Sequence, residues 1–330
     1  MREKMQAEKS FKIDFLIKSK KIKSREESKK TVNKFLFFLN FIGFFLILLS
    51  AGGPAFSAET KTVSLATGDV LELRYREIKP GEPLVLVWKE KKSDFLDINF
   101  LKEKRRLESG SAQQPFLFLG VDLATSPGVY ALEVSAWQKK QISGRAEIQL
   151  EVRAREFPKK ELKVDQKYVT PPKQVQERIR REAELLAEIY SLSTPEWLAG
   201  SHFILPCDGK LFPNFGQQRI YNRVPRSVHA GIDIAVPVGH PIKATNGGRV
   251  VLASDLYFSG KTVIVDHGLG LFSTYCHLSR ILVKRGEKVE AGQVIGLAGS
   301  TGLSTGPHLH WAVRINEARV DPLSLLELEF

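Results

Sequence analysis

Alternation between apolar and polar residues predicts β-strands in the middle of the chain. Residues 71–76 and 146–153 place apolar side chains at every second position between charged ones, which indicates strands with one solvated face. Residues 84–88 and 116–119 are continuously apolar, as strands buried on both faces are. Proline- and glycine-containing turns separate these pieces. The pattern predicts a β-sandwich-like accessory domain over residues 59–157.

A helical period follows in residues 158–202. The segment begins with charged residues and Pro171-Pro172, which indicate a linker. Apolar side chains then recur at helical spacing, at Val175, Ile179, Ala183, Leu186 and Tyr190. We predict a connecting helix that packs its apolar side on a domain. Its polar face mixes both charge signs, which disfavours a membrane-surface helix.

Residues 203–325 return to strand patterns. The predicted strands are Arg249–Ala253, Thr262–Asp266, Leu271–Leu278 and Leu309–Ile315. Turns containing glycine separate them, and no strand–helix alternation appears, so a parallel α/β sheet is not expected. The predicted fold class is mostly β, with the sandwich-like domain, a helical connector and an antiparallel C-terminal β domain.

Residues 1–58 carry the three parts of an export signal. A basic region precedes the apolar residues 35–50, and small residues follow them up to Ala58. The segment predicts either a cleaved signal peptide or a membrane anchor through residues 35–57, since the apolar run approaches the length of a spanning helix. Under both alternatives the rest of the chain lies outside the cytoplasm, in the periplasm or cell envelope.

The net charge of the chain and its distribution favour an anionic cell-wall polymer over nucleic acid as a partner. The formal net charge of the 330 residues is +12, and seven of these charges belong to residues 1–34. The mild positive charge that remains suits an anionic polymer such as a cell wall. No basic stripe with interleaved aromatic residues appears, so nucleic acid is not an expected partner. The two cysteines, Cys207 and Cys276, are expected to be free buried thiols, with one disulfide as the alternative.

Histidine is concentrated in the last third of the chain, where six of the seven lie within residues 229–310. His308 and His310 alternate with Leu309 and Trp311. On a strand the two imidazoles then point to one face and the apolar pair to the core. Two imidazoles on one face can share a metal ion.

A second histidine lies close to a carboxylate. His229 precedes Asp233 by four residues, and Asp233 stands between the apolar Ile232 and Ile234. Together with one histidine of the later pair they supply three ligands and leave a fourth tetrahedral position for water, as in catalytic zinc sites. Zinc lowers the pKa of such a water to about 7. The remaining histidines can act as general base and hydrogen-bond donor.

Three short strings in this region resemble a known family. They are His229-x-x-x-Asp233, Tyr275-Cys276-His277-Leu278-Ser279 and His308-x-His310. Phe215-Gly216, Asp266-His267-Gly268 and Gly299-Ser300-Thr301-Gly302 reinforce them. They resemble the lysostaphin-type (LytM-like, beta-lytic) zinc metallopeptidases over roughly residues 205–322.

The resemblance implies a zinc metallopeptidase domain over residues 203–325 with one Zn²⁺. It implies that His229, Asp233 and His310 hold the zinc, that His308 is the general base and that His277 is the donor. Inactive relatives lose one or more of these residues, and this chain keeps all five. It departs from the family at Cys276, where a small apolar residue is common. Strand alternation is expected to turn Cys276 away from His277, so a catalytic cysteine is not predicted.

The family implication gives three functional hypotheses. The leading one is an endopeptidase that hydrolyses the cross-linking peptides of bacterial peptidoglycan. The alternatives are a non-hydrolytic wall-binding regulator of another hydrolase and a secreted peptidase acting on glycine-rich proteins. We further hypothesise that the accessory domain and the connector position the peptidase domain or cover its groove. The sequence leaves the oligomeric state open.

Overall fold

A computed structural model describes residues 59–330 except 111–113, 193 and 329. The predicted signal or anchor in residues 1–58 therefore lies outside the described residues. Within the described part of the chain, no helix is long and apolar enough to cross a membrane.

Eight strands form a sandwich of two four-stranded sheets. They are β1 (Glu59–Ser64), β2 (Val70–Tyr75), β3 (Pro83–Glu90), β4 (Phe95–Phe100), β5 (Glu103–Glu108), β6 (Phe116–Gly120), β7 (Gly128–Gln138) and β8 (Gln141–Val152). One sheet has the order β1-β2-β3-β6 and the other β5-β4-β7-β8, with antiparallel pairing throughout. The apolar positions of the period-two segments meet between the sheets. The predicted sandwich-like domain is confirmed.

Strand β3 is buried on both faces, as its continuous apolar sequence predicts. Leu84, Leu86 and Trp88 face the interior of the sandwich. Val85 and Val87 point the other way and belong to the core of the C-terminal domain. Strand β3 therefore contributes side chains to the cores of both the accessory and the C-terminal domain.

The connector contains β9 (Lys159–Leu162), α1 (Gln166–Val169) and α2 (Lys173–Ser191). Helix α2 is the predicted connecting helix, and its C-terminal end packs on the C-terminal sheet at Leu252, Ile264 and Phe272. The segment predicted as a plain linker differs from expectation, because β9 pairs in parallel with a strand of the C-terminal domain. Backbone hydrogen bonds rather than an apolar pattern hold β9 in place, so no side-chain periodicity indicates this strand.

The C-terminal domain is built from short antiparallel strands. They are β10 (Lys210–Phe212), β11 (Gln218–Tyr221), β12 (Val224–Val228), β13 (Gly231–Ala235), β14 (Pro241–Lys243), β15 (Gly248–Leu256), β16 (Gly260–Asp266), β17 (Leu271–Leu278), β18 (Arg280–Ile281), β19 (Lys288–Val289), β20 (Val294–Leu297), β21 (Leu309–Ile315) and β22 (Ala318–Val320), followed by helix α3 (Pro322–Leu326). The main sheet has the order β10-β13-β21-β17-β16-β15-β19, with β22 beside β21. The predicted antiparallel β domain is confirmed, and its most buried side chains include Tyr275 and Trp311.

Tyr190 is expected to anchor α2 on this sheet. Its hydroxyl lies 2.9 Å from the Thr274 hydroxyl, and its ring stacks edge-on against Phe272. Tyr190→Ala should lower the free energy of unfolding by about 3–5 kcal/mol, as loss of a buried aromatic ring does. Tyr190→Phe should cost only about 1 kcal/mol.

Chemical unfolding curves of the two variants measure this difference. Leu192→Ala is the matched control, because Leu192 is half-exposed just beyond the helix and should change stability by less than about 0.5 kcal/mol. Equal losses for Tyr190→Ala and Leu192→Ala would contradict the anchoring role.

Candidate functional site

Strand register places Asp233 and His310 side by side on the main sheet. Asp233 of β13 lies directly opposite His310 of β21, and Ile232 lies opposite Trp311. Ile232 and Trp311 are fully buried on the core face. The ligand candidates therefore share the other face, as the alternation around His308 and His310 predicts.

His229 completes a group of three potential ligands. Its Nε2 lies 2.7 Å from His310 Nδ1 and 3.1 Å from Asp233 Oδ1. His310 Nδ1 is itself 3.1 Å from the same carboxylate oxygen. His229, Asp233 and His310 are the group of described residues whose geometry could hold a metal ion.

The donor set fits zinc. His229 Nδ1 lies 3.0 Å from the carbonyl oxygen of Asn214, which can only accept. Nδ1 is therefore assigned the proton, and Nε2 turns its lone pair towards Asp233 and His310. Two imidazole nitrogens and one carboxylate oxygen then converge on one point, which is the ligand chemistry of catalytic zinc.

His308 and His277 stand beside this group. His308 Nε2 is 3.6 Å from Asp233 Oδ1, and the His277 and His308 ring centroids are 4.8 Å apart. His308 Nδ1 lies 2.8 Å from the Gly306 carbonyl, and His277 Nδ1 lies 2.8 Å from the Thr301 carbonyl. Each ring thus places its Nδ1 proton on a backbone acceptor and keeps Nε2 free to accept another.

The structure brings together all five residues predicted from the sequence. Their separate roles as ligand, base and donor stay predictions. In the neutral state both His277 and His308 are acceptors at Nε2. A donor role for His277 therefore requires that its ring first receive a proton.

A β-bulge aims His277 at the site. The pairing of β16 with β17 shifts register between Lys261 and Val263, and His277 has a positive φ of 61°. The expectation that strand alternation turns Cys276 away from His277 is wrong, because the bulge interrupts the alternation there. Cys276 lies opposite His310 and faces the same side of the sheet.

Burial and mutual contact set the charges of the group. Burial alone would raise the pKa of Asp233, but its interactions with the adjacent His229 and His310 rings hold it well below its usual range. Burial, with a contribution from His310, lowers the pKa of His229 to about 4. Burial, with contributions from His310 and His308, lowers the pKa of His277 to about 3. At neutral pH the carboxylate is ionised and these two imidazoles are neutral, as cation binding requires.

Two residues that the sequence did not single out contact Asp233 directly. Arg219 Nη2 lies 2.7 Å from Asp233 Oδ2, and Asn214 Nδ2 lies 2.9 Å from the same oxygen. Both flank Phe215-Gly216, a string that supported the family resemblance. Their closeness to this string in the sequence was the one sign that they belong to the site. Their spacing from Asp233 in the sequence did not indicate a contact with it.

The remaining histidines, His202, His240 and His267, lie outside the group. His267 is fully buried and its ring contacts the Gly247 carbonyl and the Ser273 hydroxyl, which is a structural arrangement. His240 is partly buried and His202 is exposed.

A strap of connector residues, 159–170, lies over the site. Its β9 runs parallel to β11, with Lys160 opposite Arg219. The backbone of Val164 exchanges two hydrogen bonds, both 3.0 Å, with the side chain of Asn222. Farther along, the Tyr168 hydroxyl donates to the Gly302 carbonyl at 2.8 Å.

The strap leaves little room above the ligands. A space of about 100 Å³ remains between Lys160, Leu162 and Val164 on one side and Asp233 and His308 on the other. Pockets that take organic ligands measure roughly 300–1,000 Å³. The connector therefore covers the site, in line with the hypothesis drawn from its position in the chain.

A larger cavity borders the site on the side of His310. It has a volume of about 1940 Å³ and lies between β5, α2 and the face of the main sheet. Its lining includes Cys276 and His310 at one end and Arg105 at the other. The small space beneath the strap borders Asp233 and His308, whereas the large cavity borders His310.

Comparison with known proteins identifies relatives of the C-terminal domain. The model of a family described as Peptidase family M23 matches residues 227–322, a range that includes all five site residues. The chain is 39% identical over 121 residues to the peptidoglycan DD-endopeptidase ShyA of Vibrio cholerae, covering 36% of this chain and 28% of that protein. It is 42% identical over 98 residues to the DD-carboxypeptidase/endopeptidase Mpg of Neisseria meningitidis, covering 30% of this chain and 23% of that protein. The chain thus spans less than a third of the length of these curated relatives.

A solved structure matches over most of the chain. It is a crystal structure described as a peptidase M23 from Pseudomonas aeruginosa, and it is 32% identical to this chain. The match has a TM-score of 0.58 and covers 76% of this chain and 96% of that one. The likeness therefore extends beyond the C-terminal domain.

The cysteines are expected to be chemically inert in the folded protein. Both are free and buried, as predicted. Burial raises the pKa of Cys207 to about 11, with help from Asp208, and that of Cys276 to about 12. Because the thiolate is the nucleophile, iodoacetamide at pH 8 should leave both unlabelled until the protein is unfolded.

Intact-mass measurement before and after denaturation counts the labels. We expect none in the native protein and two after unfolding. Rapid native labelling of Cys276 would reopen the case for a reactive cysteine beside His310.

Proposed function

This chain belongs to peptidase family M23, and from that premise we propose that it is a zinc-dependent endopeptidase of bacterial peptidoglycan. The substrate bonds are those of the cross-linking peptides. The observation that carries the proposal is the convergence of His229, Asp233 and His310 on one point, with His277 and His308 beside it.

The chemistry divides among these residues. Zinc, held by His229, Asp233 and His310, would polarise a water molecule and the scissile carbonyl. His308 accepts the proton of the attacking water at Nε2, because the Gly306 carbonyl fixes its other nitrogen as a donor. His277 is held in the same way by Thr301. Its ring lies beside that of His308, with the two centroids 4.8 Å apart.

Two further features support the wall as substrate. The matched relative in Vibrio is named a peptidoglycan DD-endopeptidase, and the one in Neisseria a DD-carboxypeptidase/endopeptidase. The positive net charge of the chain suits an anionic wall. We also propose that the protein acts outside the cytoplasm, since residues 1–58 have the pattern of an export signal or anchor.

Digestion of purified peptidoglycan tests the proposal. The wild-type protein should bind one zinc and release new peptide amino termini, identified by mass spectrometry of the fragments. His308→Ala should keep zinc but lose activity by about 10²–10⁴-fold, the contribution of a positioned general base. His240→Ala, a histidine outside the group, should leave both unchanged.

Other results would redirect the assignment. Zinc binding without wall cleavage, but with cleavage of a glycine-rich protein, would favour the secreted-peptidase hypothesis. Zinc binding with no cleavage of either substrate would favour a regulator. Equal activity of wild type and His308→Ala would contradict the assigned base.

The strap should limit the rate of cleavage. Asn222 has a φ of 48°, so Asn222→Gly removes the two side-chain bonds to Val164 without straining the backbone. Each hydrogen bond contributes about 0.5–1.5 kcal/mol. The variant should therefore open more often and cleave peptidoglycan roughly 5- to 100-fold faster.

Lys140→Gly is the matched control for this experiment. Lys140 also has a positive φ, 65°, but lies in the turn between β7 and β8 of the sandwich. Its replacement should leave the rate of cleavage unchanged. An unchanged rate for Asn222→Gly as well would mean that the substrate reaches the site through the larger cavity, with the strap in place.

A further inference from the structure

Asp233 uses its two carboxylate oxygens for different purposes. Oδ1 faces the histidines, at 3.1 Å from both His229 and His310. Oδ2 accepts hydrogen bonds from Arg219 at 2.7 Å and from Asn214 at 2.9 Å. One oxygen is therefore available to a metal ion, and the other is committed to protein donors.

Arg219 is a specific partner rather than a solvated surface charge. Its side chain and that of Asp233 are 16% and 15% exposed. The Nε atom of Arg219 is buried and finds no hydrogen-bond partner among the described residues. The ion pair with Asp233 is thus the contact that compensates this largely buried charge.

Asn214 holds two of the three ligands at once. Its side-chain oxygen accepts from the Asp233 backbone N–H at 3.1 Å, and its side-chain nitrogen donates to Oδ2. Its backbone carbonyl also fixes the tautomer of His229. Outer partners of this kind orient metal ligands, and their loss typically weakens metal binding 10- to 100-fold.

We propose that Arg219 and Asn214 are positioning residues that keep Asp233 a one-oxygen ligand. A carboxylate with both oxygens free can bind a metal through both and fill the position that a catalytic site leaves open for water. By occupying Oδ2, the two residues preserve that open position. The inference rests on the zinc site of the proposed function, but not on the identity of the substrate.

Metal binding by the purified full chain tests this proposal without any substrate. The variants are Arg219→Met, Arg219→Lys and Asn214→Ala, and Arg223→Met is the control, an exposed arginine in the adjacent turn. Competition with a chromophoric chelator measures zinc affinity. We expect a loss of about 10- to 100-fold for Arg219→Met and Asn214→Ala, a smaller loss for Arg219→Lys and none for Arg223→Met.

The visible spectrum of bound Co²⁺ provides a second readout. It would not change on mutation if Arg219 only stabilised the fold. Four-coordinate Co²⁺ absorbs visible light strongly, and higher coordination weakens the bands. Co²⁺ in the wild type should give strong bands, and in Arg219→Met weaker ones, because Oδ2 then keeps only the hydrogen bond from Asn214 and can also bind the metal. Arg219→Lys should restore much of the intensity.

The outcomes separate the two proposals. Wild-type affinity and an unchanged cobalt spectrum in both Arg219→Met and Asn214→Ala would overturn the positioning role. Absence of metal binding by the wild type would instead overturn the proposed zinc site. Circular dichroism verifies folding, and if Arg219→Met does not fold, Asn214→Ala and Arg219→Lys decide the question.

Discussion

One buried carboxylate organises the C-terminal domain. Burying the charge of Asp233 is costly unless every oxygen finds a partner, and here both do: imidazoles meet Oδ1, and Arg219 with Asn214 meets Oδ2. These contacts come from separate segments, so the carboxylate joins β11, β13 and β21 at one point. The low pKa of Asp233 follows from the same contacts.

These contacts require particular backbone conformations at two positions, Gly231 and His277. A Cβ at position 231 would approach the Trp311 carbonyl to 2.4 Å and His310 to 2.9 Å, so glycine is needed where β13 passes β21. The bulge at His277 meets a second demand, since regular alternation would send that ring into the core. Ile232, Leu309 and Trp311 anchor the opposite face of the same strands.

The sequence predicts those features that side-chain patterns encode. The sandwich-like fold, the longer strands β15, β16, β17 and β21, helix α2 and the five residues of the site follow from periodicity or from family strings. The strap was not predicted because β9 is held by backbone pairing, which leaves no apolar pattern. Asn214 escaped notice in part because its carbonyl, common to every residue, is what holds His229. The predicted orientation of Cys276 is wrong because a β-bulge reverses which face of the strand the following side chains point to. A bulge has no reliable sequence signature.

The sharing of β3 between two cores bears on how this chain can have changed over time. Val85 and Val87 pack into the C-terminal core, and Phe118 of neighbouring β6 meets Trp197 and Phe330 with ring centroids 5.3 and 5.1 Å apart. A lineage that discarded the sandwich would expose to water the faces of Trp197 and Phe330 that Phe118 covers. The accessory and C-terminal domains are therefore expected to evolve together. A substitution in one domain at this interface selects for a compensating substitution in the other.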